Sequence, residues 1–349
     1  MGTLPWYVTR EDLRFAIASQ DSARNNKQLD RALESASRAV EDLCRRAFYP
    51  TVATRYKDWP TKESPTSWRL WLDKDELISV TSLTAGGTTI SSSDYFLEPI
   101  NDGPPYNRIE IDLDSSVAFE SGNTHQRNVS ITGVFGYDNN TVTAGTLGAA
   151  IATTSATTCE VSDSSLVGIG SLLTIDSEKV IVTGKSWLDS TQNIGGSLTA
   201  SAANVSVAVT TGSAYHEDEI ILVDSERMRI ESISGNTLTV KRAWDGSVLA
   251  AHTTGADIYA PRTLTIVRGV LGTTAATHLI SVAVTAQSYP GQVRALCLAE
   301  ALNTLEQETS AYARTIGSGE NERNASGAGI EKLRKSVKIK YGRRLRGTV

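Results

Sequence analysis

Hydrophobic residues recur with a helical period near both ends of the chain and with a two-residue period between them. In LDRALESASRAVEDLCRRAF (29–48) the apolar positions Leu29, Leu33, Ala36, Val40, Leu43 and Ala47 step by three and four, with Arg31, Glu34, Arg38, Glu41 and Asp42 among them. This predicts an amphipathic helix with one packed face. Ahead of it, TREDLRFAIA opens on Thr9 with Asp12 three positions later, a variant of the capping box that starts helices. YPGQVRALCLAEALNTLEQETSAYAR (289–314) carries an apolar stripe through Val293, Leu296, Cys297, Leu298, Ala301, Leu302 and Leu305. Pro290 suits its first turn. GSGENERNASGAG (317–329) then reads as a flexible linker. The closing segment IEKLRKSVKIKYGRRLRG fits a short helix, but Val337, Ile339 and Tyr341 alternating with Lys338 and Lys340 fit an added strand equally well.

Between residues 51 and 136, short runs rich in Val, Ile, Thr and aromatics are separated by Gly, Pro, Asn and Asp: SWRLWLDKD, LISVTSLTAGGTTI, DYFLEPI, YNRIEIDLD and NVSITGVFGY. They predict an antiparallel meander. Ile109, Ile111 and Leu113 alternate with charged residues, which marks a strand with one buried face. From about Asp138 to Thr285 the chain turns to Thr, Ser, Ala, Gly and Val with few charges, and this window holds a repeat. TTCEVSDSSLVGIGSLLTIDSE (157–178) aligns without gaps on VSVAVTTGSAYHEDEIILVDSE (205–226), and TLTVKRAWDGSVLAAH (237–252) on TLTIVRGVLGTTAATH (263–278). The offsets, 48 and 26, are unequal, as expected when one copy lies inside the other. Copy one is then 157–186 plus 263–285, and copy two 200–262. The expected organisation is a core made of 1–145 and 286–349, ending in a basic arm at 330–349, with 146–285 inserted as a nested pair of small β-domains.

The length, 349 residues and 37.4 kDa, allows two or three domains, and 40% hydrophobic with 21% charged residues at a mean hydropathy of −0.19 fits an ordinary soluble protein. No apolar run approaches the ~18–20 residues of a membrane-spanning helix. The opening MGTLPWYVTREDLRF is too short and polar for a signal-peptide core, so synthesis and assembly in a cytoplasm is expected. Cys44, Cys159 and Cys297 are scattered and odd in number. They read as small buried hydrophobes, not a disulfide framework or a metal site. The net charge of −5 divides unevenly. Lys332, Arg334, Lys335, Lys338, Lys340, Arg343, Arg344 and Arg346 face only Glu331 in residues 331–349, a net of +7, which leaves −12 for residues 1–330. Such asymmetry predicts a contact with an acidic partner or with nucleic acid, against the plainer reading of a solvated tail.

Candidate chemistry is sparse. No GxSxG, HExxH, Walker loop or GxGxxG followed by a helix occurs. Of the four histidines, His125, His216, His252 and His278, the last two hold equivalent places at the ends of the aligned segments LAAH (249–252) and AATH (275–278), which repeated packing explains better than a site. The duplicated DSE, Asp176–Glu178 and Asp224–Glu226, offers too few acids for calcium and fits a hairpin turn. Base-specific recognition would need aromatics or a recognition helix among the basic residues, and the tail offers only Tyr341. Trp59, Trp68 and Trp71 read as core. No catalytic residue, cofactor site or metal site is expected.

The order of these segments resembles the head–tail connector (adaptor) family of long-tailed bacteriophages. The resemblance covers about residues 1–137 and 288–349 and rests on LDRALESASRAVEDLCRRAFYPTVATRYKDW, LWLDKDELISVTSLTAGG, the phrases DYFLEP, YNRIEID and ITGVFGY in that order, and YPGQVRALCLAEAL. It implies an α+β fold: a helical-bundle connector core with an antiparallel β region, here joined by inserted all-β domains. It further implies a non-enzymatic virion protein of the neck, assembled in the host cytoplasm as a homo-oligomeric, twelvefold ring. That ring would bind the portal protein on one side and a stopper or tail-proximal neck protein on the other. Double-stranded DNA would pass through its channel without sequence recognition, and no membrane would be involved. In that setting Leu29, Leu33, Val40, Leu43, Val293, Leu296, Leu302 and Leu305 are expected on intersubunit helix faces, and the eight cations of the arm near the portal or the DNA. The family passes quickly from the ITGVFGY strand to the final helix, whereas about 150 residues intervene here. Two other readings stand beside the adaptor: another neck component such as a stopper or tail-completion protein, and a surface- or carbohydrate-binding virion protein using the Ser/Thr-rich insertion.

Overall fold

The computed structural model describes residues 4–17, 25–60, 66–120, 122–309, 315–316, 323–324 and 328–343. They form two compact units, Met1–Cys44 with Thr141–Val270 and Thr274–Gly342, and Arg45–Asn140 with Leu271–Thr273 and Arg343–Val349.

The second unit is built from strands β1 (Thr51–Lys57), β2 (Arg69–Trp71), β3 (Leu77–Ala85), β4 (Thr88–Ile90), β5 (Tyr95–Glu98), β6 (Arg108–Ile111) and β7 (Val129–Phe135). They make two antiparallel sheets, β1-β7-β3-β4 and β2-β6-β5. Both bury one face in a single core that includes Leu70, Leu77, Leu83, Ile109, Ile111, Val129, Ile131 and Phe135. The alternation in RIEIDL is realised over β6, where Ile109 and Ile111 are buried. Leu113 lies beyond the strand and is exposed. Trp59 belongs to this core, and its indole Nε1 donates to Phe119 O at 2.8 Å, as a buried Trp requires.

The first unit holds helices α1 (Arg10–Ala16), α2 (Asn26–Cys44), α3 (Gly291–Thr309) and α4 (Ala328–Tyr341). It also holds β8 (Thr141–Thr146), β9 (Thr158–Glu160), β10 (Leu172–Ile175), β11 (Glu178–Asn193), β12 (Ser206–Ala208), β13 (Ile220–Val223), β14 (Glu226–Ser234), β15 (Thr237–Lys241), β16 (Asp257–Val267) and β17 (Ala283–Gln287). Thr9 and Asp12 close the capping box at α1: Asp12 N donates to Thr9 Oγ1 at 3.0 Å and Thr9 N to Asp12 Oδ2 at 3.2 Å. The closing segment, open between helix and strand, is the helix α4, with Val337 and Tyr341 four residues apart on its buried face.

The ten strands form one antiparallel sheet, β12-β15-β14-β13-β16-β11-β10-β17-β8, with β9 also paired to β16. Two separate cores lie along it. One contains Leu173, Ile175, Val180, Val182, Leu264 and Ile266; the other contains Ile221, Val223, Met228, Ile230, Leu238 and Val240. The long strands β11 and β16 run through both, paired with each other, so the chain leaves one core and returns to it along neighbouring strands. The register is duplicated as well. Ile181↔Val267 and Val182↔Ile266, followed by a bulge before Gly184, match Arg229↔Lys241 and Ile230↔Val240, followed by a bulge before Ser232. The likeness extends past the residues that align in sequence: β17 paired to β10 and β8 corresponds to the first half of β16 paired to β13 and the second half of β11.

The expectation of a helical-bundle core in an α+β chain is overturned. Strands take up 36% of the described residues and helices 21%. The three longer helices pack on one another as a single layer, whereas the three large apolar clusters named above are built almost wholly from strand residues and their loops. The physical reason is that most of the phrases carrying the family resemblance have a two-residue period and fold as β3, β5, β6 and β7. The first unit then adds ten further strands to four helices, each of which buries only one stripe.

Candidate functional site

Three places in the structure gather chemistry: the helical layer, the outer face of α4, and a pair of buried charge networks in the duplicated sheet.

In the helical layer, Leu29, Leu33, Val40, Val293, Leu296 and Leu305 are buried within the single chain, and only Leu43 and Leu302 keep partial exposure. Six of the eight residues expected on intersubunit faces are thus buried within one chain, whose α2 and α3 pack together. Polar groups fix that packing. Ser37, buried in the middle of α2, donates to Leu33 O at 2.8 Å, accepts from Tyr7 N at 3.2 Å and lies 3.4 Å from Cys297 Sγ. All three cysteines are buried, and burial pushes the Cys159 and Cys297 thiols up to about 11, which suits packing over reactivity.

On α4 the basic arm divides by function. Arg334 donates to Glu300 through Nε at 2.5 Å and Nη2 at 2.7 Å and also pairs with Glu331. The Glu300 carboxylate raises the pKa of its guanidinium further above the usual value. Arg343 donates to Lys74 O at 2.6 Å. Lys332, Lys335, Lys338 and Lys340 are exposed, and among the described residues none has a carboxylate within ion-pair distance. Arg344 and Arg346 lie outside the described residues, as does most of the 317–329 linker.

The buried networks were not singled out by the sequence. In copy one, Glu178 accepts from Arg268 Nε at 2.9 Å and Nη2 at 2.5 Å and from the backbone N–H groups of Gly269 and Ala276, each at 3.0 Å. His278 Nε2 lies 2.8 Å from the same carboxylate, and its Nδ1 lies 2.7 Å from Asp176. Copy two repeats every contact. Glu226 accepts from Arg242 at 2.7 and 2.8 Å, Ala243 N at 2.9 Å and Ala250 N at 3.0 Å, while His252 bridges Glu226 at 2.9 Å and Asp224 at 2.7 Å. Burial alone would raise each glutamate. The arginine, histidine and backbone donors outweigh it and hold both carboxyls at about 2. The DSE residues form two-residue hairpin loops, with Asp176 and Asp224 at φ 52° and 51°, a conformation Asp tolerates. Among the described residues no group of three or more His, Cys, Asp or Glu is arranged to hold a metal ion. The retained signal was the repeat itself, which keeps one Glu, one Arg and one His at matching places.

A groove of about 980 Å³ runs beside α1, lined among others by Arg14, Phe15, Trp187, Lys241 and Trp244. Its groups largely satisfy one another. Arg14 and Arg227 both bind Asp245, at 3.0 and 2.6 Å, Phe15 stacks on Trp244 at 5.8 Å, and Arg229 covers both rings. Of the insertion's aromatics, Tyr215 is buried, Tyr259 and Trp244 are half-buried, and Trp187 is exposed, which leaves no row of open rings for a sugar. No helix among the described residues is long and apolar enough to cross a membrane. Comparison with protein-family models, curated proteins and solved structures finds no match to this chain.

Proposed function

We propose that this chain is a structural, non-enzymatic virion protein that joins a bacteriophage portal to the tail as a ring-forming adaptor, with the DNA channel running through the ring. The observation that supports the reading is that, within the first unit, family-like helices on either side of the insertion pack together and the strands at its two ends are paired. α2 and α3, far apart in sequence, pack on each other. The expected ends of the insertion, Thr146 and Thr285, lie on β8 and β17, which pair with each other, Thr146 with Ala283 and Thr285 with Thr143. A graft whose ends lie side by side is the kind a parent protein tolerates. The family-like phrases DYFLEP, YNRIEID and ITGVFGY all fall in the second unit and contribute to its single core.

In this reading the partners are the portal, a stopper or tail-proximal neck protein, further copies of the chain, and DNA in transit. Because the apolar stripes of α2 and α3 are already buried, contacts between copies fall on other surfaces. Candidates are the exposed apolar residues Phe96, Ile100 and Leu113 of the second unit. Electron microscopy of the purified chain mixed with its portal tests the proposal. A ring on the tail-proximal face of the portal is expected. A position in the capsid shell, at the tail tip, or in a second ring separated from the portal would overturn it.

A further inference from the structure

The exposed face of α4 has an unusual composition. On a helical wheel Lys332, Lys335, Ser336 and Ile339 lie opposite the buried Val337 and Tyr341, with Lys338 and Lys340 on the flanks. Over its last three turns α4 therefore carries four exposed lysines along about 12 Å of helix; Lys340 also lies 5.1 Å from the Tyr341 ring, and none of the four has a carboxylate partner among the described residues. The arginines nearby are engaged, Arg334 by Glu300 and Glu331 and Arg343 by Lys74 O. The remainder of the chain, residues 1–330, is acidic by −12, so this helix is a local positive face on a negative body.

We propose that this face binds the phosphate backbone of duplex DNA without reading its sequence. The proposal rests on the adaptor reading for the presence of DNA, and on the lysine geometry for the contact. A protein partner is the poorer fit. Protein interfaces are enriched in aromatics and Arg and depleted in Lys, whereas the only large apolar side chain here is Ile339, 68% exposed. Lysine is a compact, strongly hydrated point charge on a flexible stem, suited to phosphates and unable to specify bases without partners that reach a groove edge. B-DNA carries one charge per ~1.7 Å of axis, so several phosphates fall within the reach of the four ammonium groups. The contact is weak and salt-sensitive, as a surface that must let DNA move requires.

The test uses the full chain and fluorescence anisotropy with two labelled duplexes of unrelated sequence, titrated across NaCl concentrations. The variant replaces Lys332, Lys335, Lys338 and Lys340 by Gln, which keeps helix propensity; circular dichroism and melting check that it stays folded. The wild type is expected to bind both duplexes alike. The slope of log K against log salt should be smaller in magnitude by about 3.6 in the variant, from ~0.9 counterions released per lysine, and binding at low salt should weaken by at least about tenfold. A second variant, Glu331→Gln, removes one carboxylate from Arg334 and is expected to bind at least as tightly as wild type. An unchanged slope in the quadruple variant overturns the proposal. So does wild-type binding to polyglutamate with none to either duplex, which would assign an acidic protein. Portal association is measured separately: a quadruple variant that still joins the portal but no longer binds DNA separates this contact from the adaptor reading, whose own failure would show as a wild type that binds DNA and ignores the portal.

Discussion

In copy two the loop from Ala243 to Ala251 carries Trp244 and Asp245, which hold α1 by stacking on Phe15 and pairing with Arg14. In copy one the corresponding loop, Gly269 to Thr277, carries Leu271 and Gly272. These belong to the second unit, where Val52 N donates to Leu271 O at 2.8 Å. The backbones nevertheless follow one course. Ala243, Asp245 and Gly246 have φ of 53°, 50° and 73°, and Gly269, Leu271 and Gly272 have 60°, 54° and 81°. Both loops are tied at their first and eighth residues to the same buried glutamate and closed by the same histidine. Buried charge thus fixes the path of the loop, while its tip is employed differently in each copy, through side chains in copy two and through a backbone carbonyl in copy one. A scaffold of this kind can be duplicated without duplicating its contacts.

The comparison breaks most strongly if the glutamates are not equivalent. Glu226→Gln leaves Arg242 buried without its carboxylate, as Glu178→Gln does for Arg268, and each is expected to cost about 3–5 kcal/mol in urea unfolding. Similar losses would sustain the equivalence; a loss confined to one copy would end it. The same carboxyls set the acid response. Each titrates at about 2 in the folded chain, below the ordinary 4.5, so its stabilisation is complete above pH 4.5 and is lost as the pH falls towards 2. Melting temperature against pH should therefore fall over that window in the wild type, and by less in the double Gln variant.

Smaller effects sharpen the account of the loops. Gly246→Ala places a side chain at φ 73°, a cost of about 1–2 kcal/mol. Gly272→Ala should cost more, because its Cβ would also lie 1.9 Å from Val52 O, a backbone atom with little freedom to yield. Equal melting temperatures for the two variants would show that the loop tips are not differently employed. The smallest change is Ala243→Gly. Copy two keeps Ala at a left-handed position where copy one has Gly269, so this variant is expected to gain up to about 1 kcal/mol, offset in part by the entropy of Gly in the unfolded chain.

Periodicity and composition by themselves determined the helices at both ends, the Thr9–Asp12 cap, the strands between residues 51 and 136, the duplication within the Ser/Thr-rich stretch and the hairpin role of DSE. All of these depend on neighbours a few residues apart or on gapless similarity. What only the tertiary structure decided depends on distant residues meeting. α4 is a helix because Val337 and Tyr341 find a helical layer to pack on, although their alternation with lysines suited a strand. The balance of the fold lies with sheet because β11 and β16 weld two small cores into one ten-stranded surface, which no local pattern displays. The limits of the repeat were hidden for the same reason: β8 and β17 match the halves of β11 and β16 in pairing while their Thr- and Ala-rich residues have diverged. Glu178, Arg268 and His278 lie up to 100 residues apart in sequence, and their polar groups become one network only because burial excludes the water that would otherwise satisfy each alone. The lysines of α4 stood in the sequence as undifferentiated charge, and the ion pairs of Arg334 with Glu300 and Glu331 separated that arginine from them.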